Sequence, residues 1–289
     1  MTVYIIGAGP GDPKLLTLRA AELIESCPVV LYAGSLVPAE AIARARPDAR
    51  VIDSASLTLD EIVAIMRDAH ELNQDVARVH SGDPTVFSSI AEQIRRLVQL
   101  GIAYEIVPGV SSFSAAAAVL GKELTLPELS QTVVLTRAEG RTPIPEGESL
   151  RAIAQHGATL CLFLSVTLLR RVAADLIPSY GPDCPVVVVY RATCPDQQIV
   201  TGTLSDIAER VRATRIRTQS MVLVGKVLTA DDFADSHLYN PAFSHRYRRA
   251  TRVDSHTEQR RATRVDSHTE QPADTEPAAN QIDPPVAES

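Results

Sequence analysis

The sequence contains no apolar run near the ~20 residues that a membrane-crossing helix needs, because Pro, Gly or charge interrupts each long stretch. It has no surplus of positive charge either: 28 Lys+Arg stand against 35 Asp+Glu, a formal net charge of −7. That balance argues against a general binder of nucleic acid or of anionic membrane surfaces. The four cysteines, Cys27, Cys161, Cys184 and Cys194, include no Cys-x-x-Cys pair. Neither a metal site nor a disulfide framework is therefore expected. Met1-Thr-Val-Tyr-Ile-Ile6 has no basic stretch ahead of its apolar residues and reads as a strand rather than a secretion signal. The cytoplasm is the expected compartment. No collagen-like or coiled-coil period is present. What remains is a chain of 289 residues, 45% hydrophobic, too apolar for disorder and long enough for two ordinary domains.

Short apolar runs at Val3–Ile6, Pro28–Tyr32, Ala49–Ile52, Val76–His80 and Tyr104–Val107 read as buried strands. Between them, Leu59, Ile62, Val63, Met66 and Ala69 share one helical face, and Phe87, Ile90, Ile94, Leu97 and Val98 share another. Such alternation is the signature of a largely parallel sheet covered by helices. A second unit carries expected strands at Thr132–Leu135, Thr159–Leu164, Pro185–Tyr190 and Ser220–Gly225, with helices at Val166–Ile177 and Leu204–Ala213. Cys161 falls inside one of these strands and is expected to be a buried thiol. Gln155-His156-Gly157 reads as a helix end, with Gly157 left-handed and His156 structural. The expected organisation is one α/β domain over residues 1–120, a second over 121–235, and a disordered tail over 236–289. In that tail Arg248–Gln259 is duplicated residue for residue as Arg260–Gln271, and the composition cannot bury enough surface to offset its ordering entropy. His256 and His268 are copies of one residue rather than a metal pair.

Three loops carry the chemistry. Gly7-Ala-Gly-Pro-Gly-Asp-Pro13 follows the first strand, with Asp12 placed to cap the next helix. A dinucleotide fingerprint would want Gly where Asp12 stands and an acid at the end of the second strand, and a phosphate loop would want Gly-Lys-Ser/Thr; all are missing. Alone, this turn is explained equally well by tight strand–helix geometry. Val79-His-Ser-Gly-Asp-Pro84 and Val107-Pro-Gly-Val-Ser-Ser112 repeat the arrangement after the fourth and fifth strands. Free backbone N–H groups at such helix starts can bind carboxylate or ribose oxygens. Three of them on one sheet edge make a ligand cleft the better reading, although Asp83, Ser111 or Ser112 taken singly could be a cap and His80 a packed strand-end residue.

Val3-Tyr-Ile-Ile-Gly-Ala-Gly-Pro-Gly-Asp-Pro13 with Leu15-Leu-Thr-Leu-Arg-Ala20, Ser81-Gly-Asp-Pro84 and Val107–Ser112, in this order and spacing, resemble the tetrapyrrole methyltransferases. The resemblance covers about residues 1–230. Leu31-Tyr-Ala-Gly-Ser-Leu-Val-Pro38 and Leu135-Thr-Arg-Ala-Glu-Gly-Arg-Thr-Pro143 resemble the branch of that family that methylates precorrin-4 at C11 in cobalamin synthesis, rather than the uroporphyrinogen branch. It implies two α/β domains with the active site between them, a homodimer, and S-adenosylmethionine as methyl donor. Carried over by position, the cofactor contacts are Pro10, Ser81, Gly82, Asp83, Val86, Ser111, Ser112, Leu164 and Ala192.

A precorrin carries a ring of carboxylates, which planar guanidinium forks suit. Arg137, Arg141 and Arg191 are the candidates, with Glu139 placed to orient the two loop arginines; the alternative is a solvated surface loop. Arg170 and Arg171 read as surface charge. No Ser-His-Asp or Cys-His set is visible, and the sequence names no general base. Three alternatives stand beside precorrin-4 methylation: the cobalt-containing substrate, a nicotinamide-dependent oxidoreductase, and a non-catalytic tetrapyrrole carrier.

Overall fold

The computed structural model describes residues 1–34 and 36–251. Two five-stranded sheets organise residues up to Ala234, which form one compact unit. The first contains β1 (Thr2–Gly7), β2 (Val29–Tyr32), β3 (Arg50–Asp53), β4 (Val76–His80) and β5 (Ala103–Val107) in the order β3-β2-β4-β1-β5. Every pairing in it is parallel. From β1 the chain runs outward to β2 and β3, and from β4 it crosses to the other side of β1. Their carboxyl ends therefore meet at a point where the connections diverge, the place where open parallel sheets bind ligands.

Each face of this sheet has its own core. Ile6, Val30, Ala77 and Val79 pack with Ala20, Leu23 and Ile24 of α1 (Leu18–Ser26) and with Ala41 and Ile42 of α2 (Ala39–Ile42). Val3, Ile5, Val29 and Leu31 pack with Ile62 and Met66 of α3 (Leu59–Glu71) and Leu97 of α4 (Ala91–Gln99). Burying one such Leu or Ile side chain contributes roughly 1.5–3 kcal/mol. Helix α3 starts with a full capping box, Thr58 with Glu61. Helix α1 is capped by Thr17, not Asp12. Asp12 instead caps the short 3-10 turn Pro13–Leu15, accepting from Lys14 N at 2.8 Å. Helix α4 starts later than its apolar spacing predicts. Phe87 and Ser89 have φ of 53° and 50°, which no helix tolerates, and Val98 is 61% exposed.

The second sheet has the order β6-β7-β10-β8-β9, from β6 (Val133–Arg137), β7 (Thr159–Phe163), β8 (Pro185–Tyr190), β9 (Gln198–Thr203) and β10 (Ser220–Val224). Only β6–β7 is parallel; the remaining pairs are antiparallel. β9 has no counterpart in the sequence reading: it is a polar edge strand without an apolar run. One face packs on α6 (Leu150–Ile153), α7 (Leu169–Tyr180) and α8 (Ile207–Thr214) through Leu160, Leu162, Val186 and Val222. The other face, with Cys161, Val187 and Leu223, receives Ala115, Ala116 and Ala117 of α5 (Ser112–Val119). Helix α5 follows β5 of the first sheet and precedes the boundary expected at residue 120, yet its side chains belong to the second sheet's core. Gly157 ends the turn after α6 at φ 61°.

Among the described residues no helix is long and apolar enough to cross a membrane. Asp235–Thr251 begin a second unit and hold a 3-10 turn at His237–Tyr239. Residues 252–289, with most of the duplication, His256 and His268, lie outside the described residues.

Candidate active site

Three glycines let the loops after β1, β4 and β5 merge into one floor. A Cβ on Gly7 would stand 2.6 Å from Gly82 O and 2.7 Å from Gly109 N, and one on Gly109 would press still closer on Gly82 O. Gly9 and Gly82 exchange backbone hydrogen bonds: Gly82 N donates to Gly9 O at 2.8 Å and Gly9 N to Gly82 O at 3.2 Å. Both have positive φ, 75° and 62°, where glycine carries no steric penalty. The Asp83 carboxylate ties the second loop to the third. Its Oδ2 accepts from Gly109 N at 2.9 Å, while Oδ1 accepts from Thr85 N at 2.8 Å and from the Thr85 hydroxyl.

The second sheet supplies the opposite wall. Asp12 N donates to Thr193 Oγ1 at 3.0 Å, which docks the first loop on the segment after β8. Left-handed backbone at Leu164, Arg191 and Thr193 turns the chain back as soon as β7 and β8 end. Across the gap Phe87 and Phe163 stack at a tilt, with centroids 4.9 Å apart. Between these walls lies a cavity of about 1020 Å³. Pro10, Ser81, Gly82, Asp83, Val86, Ser111, Ser112, Leu164 and Ala192 all line it, as does Arg191. Ser111 stands at the start of α5 but its side chain caps nothing, so the first N–H groups of that helix are left to whatever fills the space.

Nine residues from both halves of the chain thus converge on one space. The sequence profile of the tetrapyrrole (corrin/porphyrin) methylases matches residues 2–208. The chain belongs to this family. A precorrin-4 C(11)-methyltransferase of Pseudomonas aeruginosa is 54% identical over 248 residues, covering 86% of this chain and 99% of that relative. Among solved structures, a cobalt precorrin-4 methyltransferase of cobalamin biosynthesis matches with a TM-score of 0.77 at 48% identity, covering 79% of this chain and 96% of the other. A uroporphyrin-III C-methyl transferase from Thermus thermophilus, complexed with S-adenyl homocysteine, gives 0.67 at 30% identity, covering 79% and 94%. Membership decides against the nicotinamide-dependent alternative and the non-catalytic carrier.

In this methylase the charged loop after β6 does not reach the cavity. Arg137 donates to the carbonyls of Thr142 at 3.1 Å and Pro143 at 2.8 Å, so it braces its own loop. Glu139 orients neither Arg137 nor Arg141. Its Oε2 accepts from Arg171 Nη2 at 2.6 Å, which makes Arg171 a loop anchor rather than free surface charge. Arg141 is exposed and, like Arg137 and Glu139, does not line the space. Arg191 does line it, held by Asp196 at 2.7 Å and Gln219 at 2.8 Å.

Two lining cations escaped the sequence reading, Lys14 and Arg217. Lys14 was hidden inside a motif read for its glycines. Arg217 precedes the amino end of β10, whereas the sheet rule points to residues beyond strand carboxyl ends. Because β10 runs antiparallel to β7 and β8, its amino end comes to the cavity edge instead.

His80, at the end of β4, is 5% exposed, and its Nε2 has no hydrogen-bond partner. Burial, with Arg78 adding to it, pushes its pKa down to about 3. The imidazole is therefore neutral at working pH, and the packed reading describes it. The unfolded chain takes up this proton near pH 6.5 and the native chain does not, so stability present at pH 7 drains as pH falls from 6.5 toward 3. Urea denaturation at pH 7 and pH 5 should show this residue removing roughly 2 kcal/mol. His80→Phe should flatten that slope, and an unchanged slope would show that His80 titrates normally in the native chain.

Proposed function

We propose that this methylase transfers the methyl group of S-adenosylmethionine to C11 of precorrin-4, giving precorrin-5 in cobalamin biosynthesis, and that it works as a cytoplasmic homodimer with its site between domains 1–120 and 121–235. The observation that carries the reading is the convergence of Pro10, Ser81–Asp83, Val86, Ser111, Ser112, Leu164 and Ala192 on one cavity, in a chain 54% identical to a precorrin-4 C(11)-methyltransferase. The space suits a methyl donor of this kind: close-packed glycine backbone, uncapped N–H groups of α5 for a carboxylate or ribose, and apolar walls. S-adenosylmethionine, when bound, supplies a methyl group already attached to an excellent leaving group.

What the chain must add is alignment of a macrocycle carbon with that methyl and exclusion of water. The fused glycine loops give a rigid floor, and Phe87 on Phe163 closes one side with apolar surface. Lys14 and Arg217 bring positive charge to the lining, where the carboxylates of a precorrin need partners, while Arg191 stands there already paired with Asp196. Arg137 and Arg141 give up that role on this reading.

The test is incubation of the purified chain with methyl-labelled S-adenosylmethionine and either precorrin-4 or its cobalt complex. Label should enter the macrocycle, and the faster substrate identifies the physiological one. Arg217→Ala should raise KM for the tetrapyrrole about tenfold while leaving KM for the methyl donor unchanged. No transfer to either substrate would sink the proposal.

A further inference from the structure

Arg78 is 4% exposed in the middle of β4, and no carboxylate pairs with it among the described residues. Its partners are neutral. Nη1 donates to Leu31 O at 3.2 Å and to Ser54 Oγ at 2.9 Å, and Nε donates to Gln93 Oε1 at 3.0 Å. Burying a cation among neutral acceptors is costly compared with pairing it to a carboxylate. A glutamate at position 93 would supply that carboxylate from the same place. The chain has the amide instead.

The other end of Gln93 explains the choice. Its Nε2 donates to Ser89 O at 2.9 Å. Arg78 is only a donor, so it fixes Oε1 toward itself and turns Nε2 toward Ser89; an ionised carboxylate could make the first bond but not the second. Ser89 has φ 50° and Phe87 φ 53°, conformations that are strained for L-residues and persist only where the surroundings hold them. The same short segment presents Val86, Phe87 and Ser88 to the cavity.

We propose that Gln93 is a positioning residue for the methyl-donor site: oriented by Arg78, its amide holds the Ser89 carbonyl and so fixes the left-handed turn that sets Val86, Phe87 and Ser88 against the cavity. This rests on the cavity being the S-adenosylmethionine site. Gln93 touches no reactant. It acts through the backbone of the segment between Asp83 and α4, which Ser88 Oγ further laces by donating to Asp83 O and Val86 O at 3.3 Å each.

The experiment compares calorimetric titration of S-adenosylhomocysteine into the wild type, Gln93→Glu, Ser89→Pro and Ser89→Gly, alongside thermal melting and steady-state kinetics. Gln93→Glu keeps the Arg78 contact and satisfies its charge, so it should melt as a folded chain. Its Kd for S-adenosylhomocysteine and its KM for S-adenosylmethionine should nevertheless rise about tenfold, with kcat less affected. Ser89→Pro, at an exposed position, forbids the positive φ without touching the buried pair and should weaken binding likewise. Ser89→Gly, which adopts that φ without strain, should bind as the wild type does. If Gln93 only satisfies Arg78, Gln93→Glu will bind normally, and that result overturns the proposal. Should Gln93→Glu fail to fold, the double variant Arg78→Leu/Gln93→Met decides: it removes the buried charge together with the amide, and it should weaken binding likewise, whereas normal binding by it would overturn the proposal. Failure of the wild type to bind S-adenosylhomocysteine would overturn the reading of the cavity, and this inference with it.

Discussion

Replacing Gly109 with alanine is expected to destroy binding of the methyl donor and to destabilise the fold by roughly 2–4 kcal/mol. The cause is space alone, since Gly109 is not among the glycines with positive φ. The added Cβ would run into Gly82 O and stand 2.9 Å from Gly7 Cα. These are backbone atoms of two other loops and cannot rotate away as a side chain would. One loop must therefore leave, and each carries part of the cavity floor. A displacement of about 1 Å in a binding floor is enough to cost about a hundredfold in rate. Gly140→Ala is the matched control, because its Cβ would meet only Leu168 Cδ1, at 3.5 Å. Urea denaturation and titration with S-adenosylhomocysteine check both variants. Normal binding by Gly109→Ala would mean that the three loops move independently.

Those loops were legible in the sequence because each signals itself locally: an apolar run, then glycine, then a helix start. Their convergence was legible too, since a parallel sheet brings consecutive strand ends to one edge. Interactions between segments distant in sequence were not. Nothing in Arg137–Pro143 says that its arginine will be consumed by its own loop carbonyls or that Glu139 will turn to Arg171, 32 residues on. Apolar periodicity ran α4 back to Phe87, because spacing cannot register a left-handed residue. Edge strand β9 lacks the apolar signal on which strand reading depends, and with it went the antiparallel order that carries Arg217 to the cavity. Thr17 outcompetes Asp12 as the α1 cap because the proline at 13 starts a separate 3-10 turn first. The buried relay from Arg78 through Gln93 to Ser89 spans a strand, a helix and a loop, and no local pattern announces it.

Asp83→Ala should weaken S-adenosylhomocysteine binding roughly tenfold to a hundredfold, because the bonds lost involve a charged acceptor and set the position of two loops at once. Asp83 lines the cavity, and its carboxylate accepts three hydrogen bonds from within the protein, from Gly109 N, Thr85 N and the Thr85 hydroxyl. Asp83→Asn separates the two functions. Its carbonyl oxygen can keep the donors of one carboxylate oxygen, either the two from Thr85 or the one from Gly109 N, while its NH₂ group must face the rest, so binding should be intermediate. Burial raises the Asp83 pKa, but the bonds from the Thr85 hydroxyl, Gly109 N–H and Thr85 N–H outweigh it and hold the carboxyl below its ordinary value. A depressed native pKa means that the clamp is fully formed above the ordinary carboxylate value of about 4 and loosens only as pH drops through the lower native one. Affinity in the wild type should therefore stay level from neutral pH down to about pH 5 wherever circular dichroism shows the chain folded. A wild-type affinity that falls between pH 7 and pH 5 in the folded chain would show that a different group controls the site. An alanine variant binding as tightly as the wild type would show that the glycine packing alone fuses the loops.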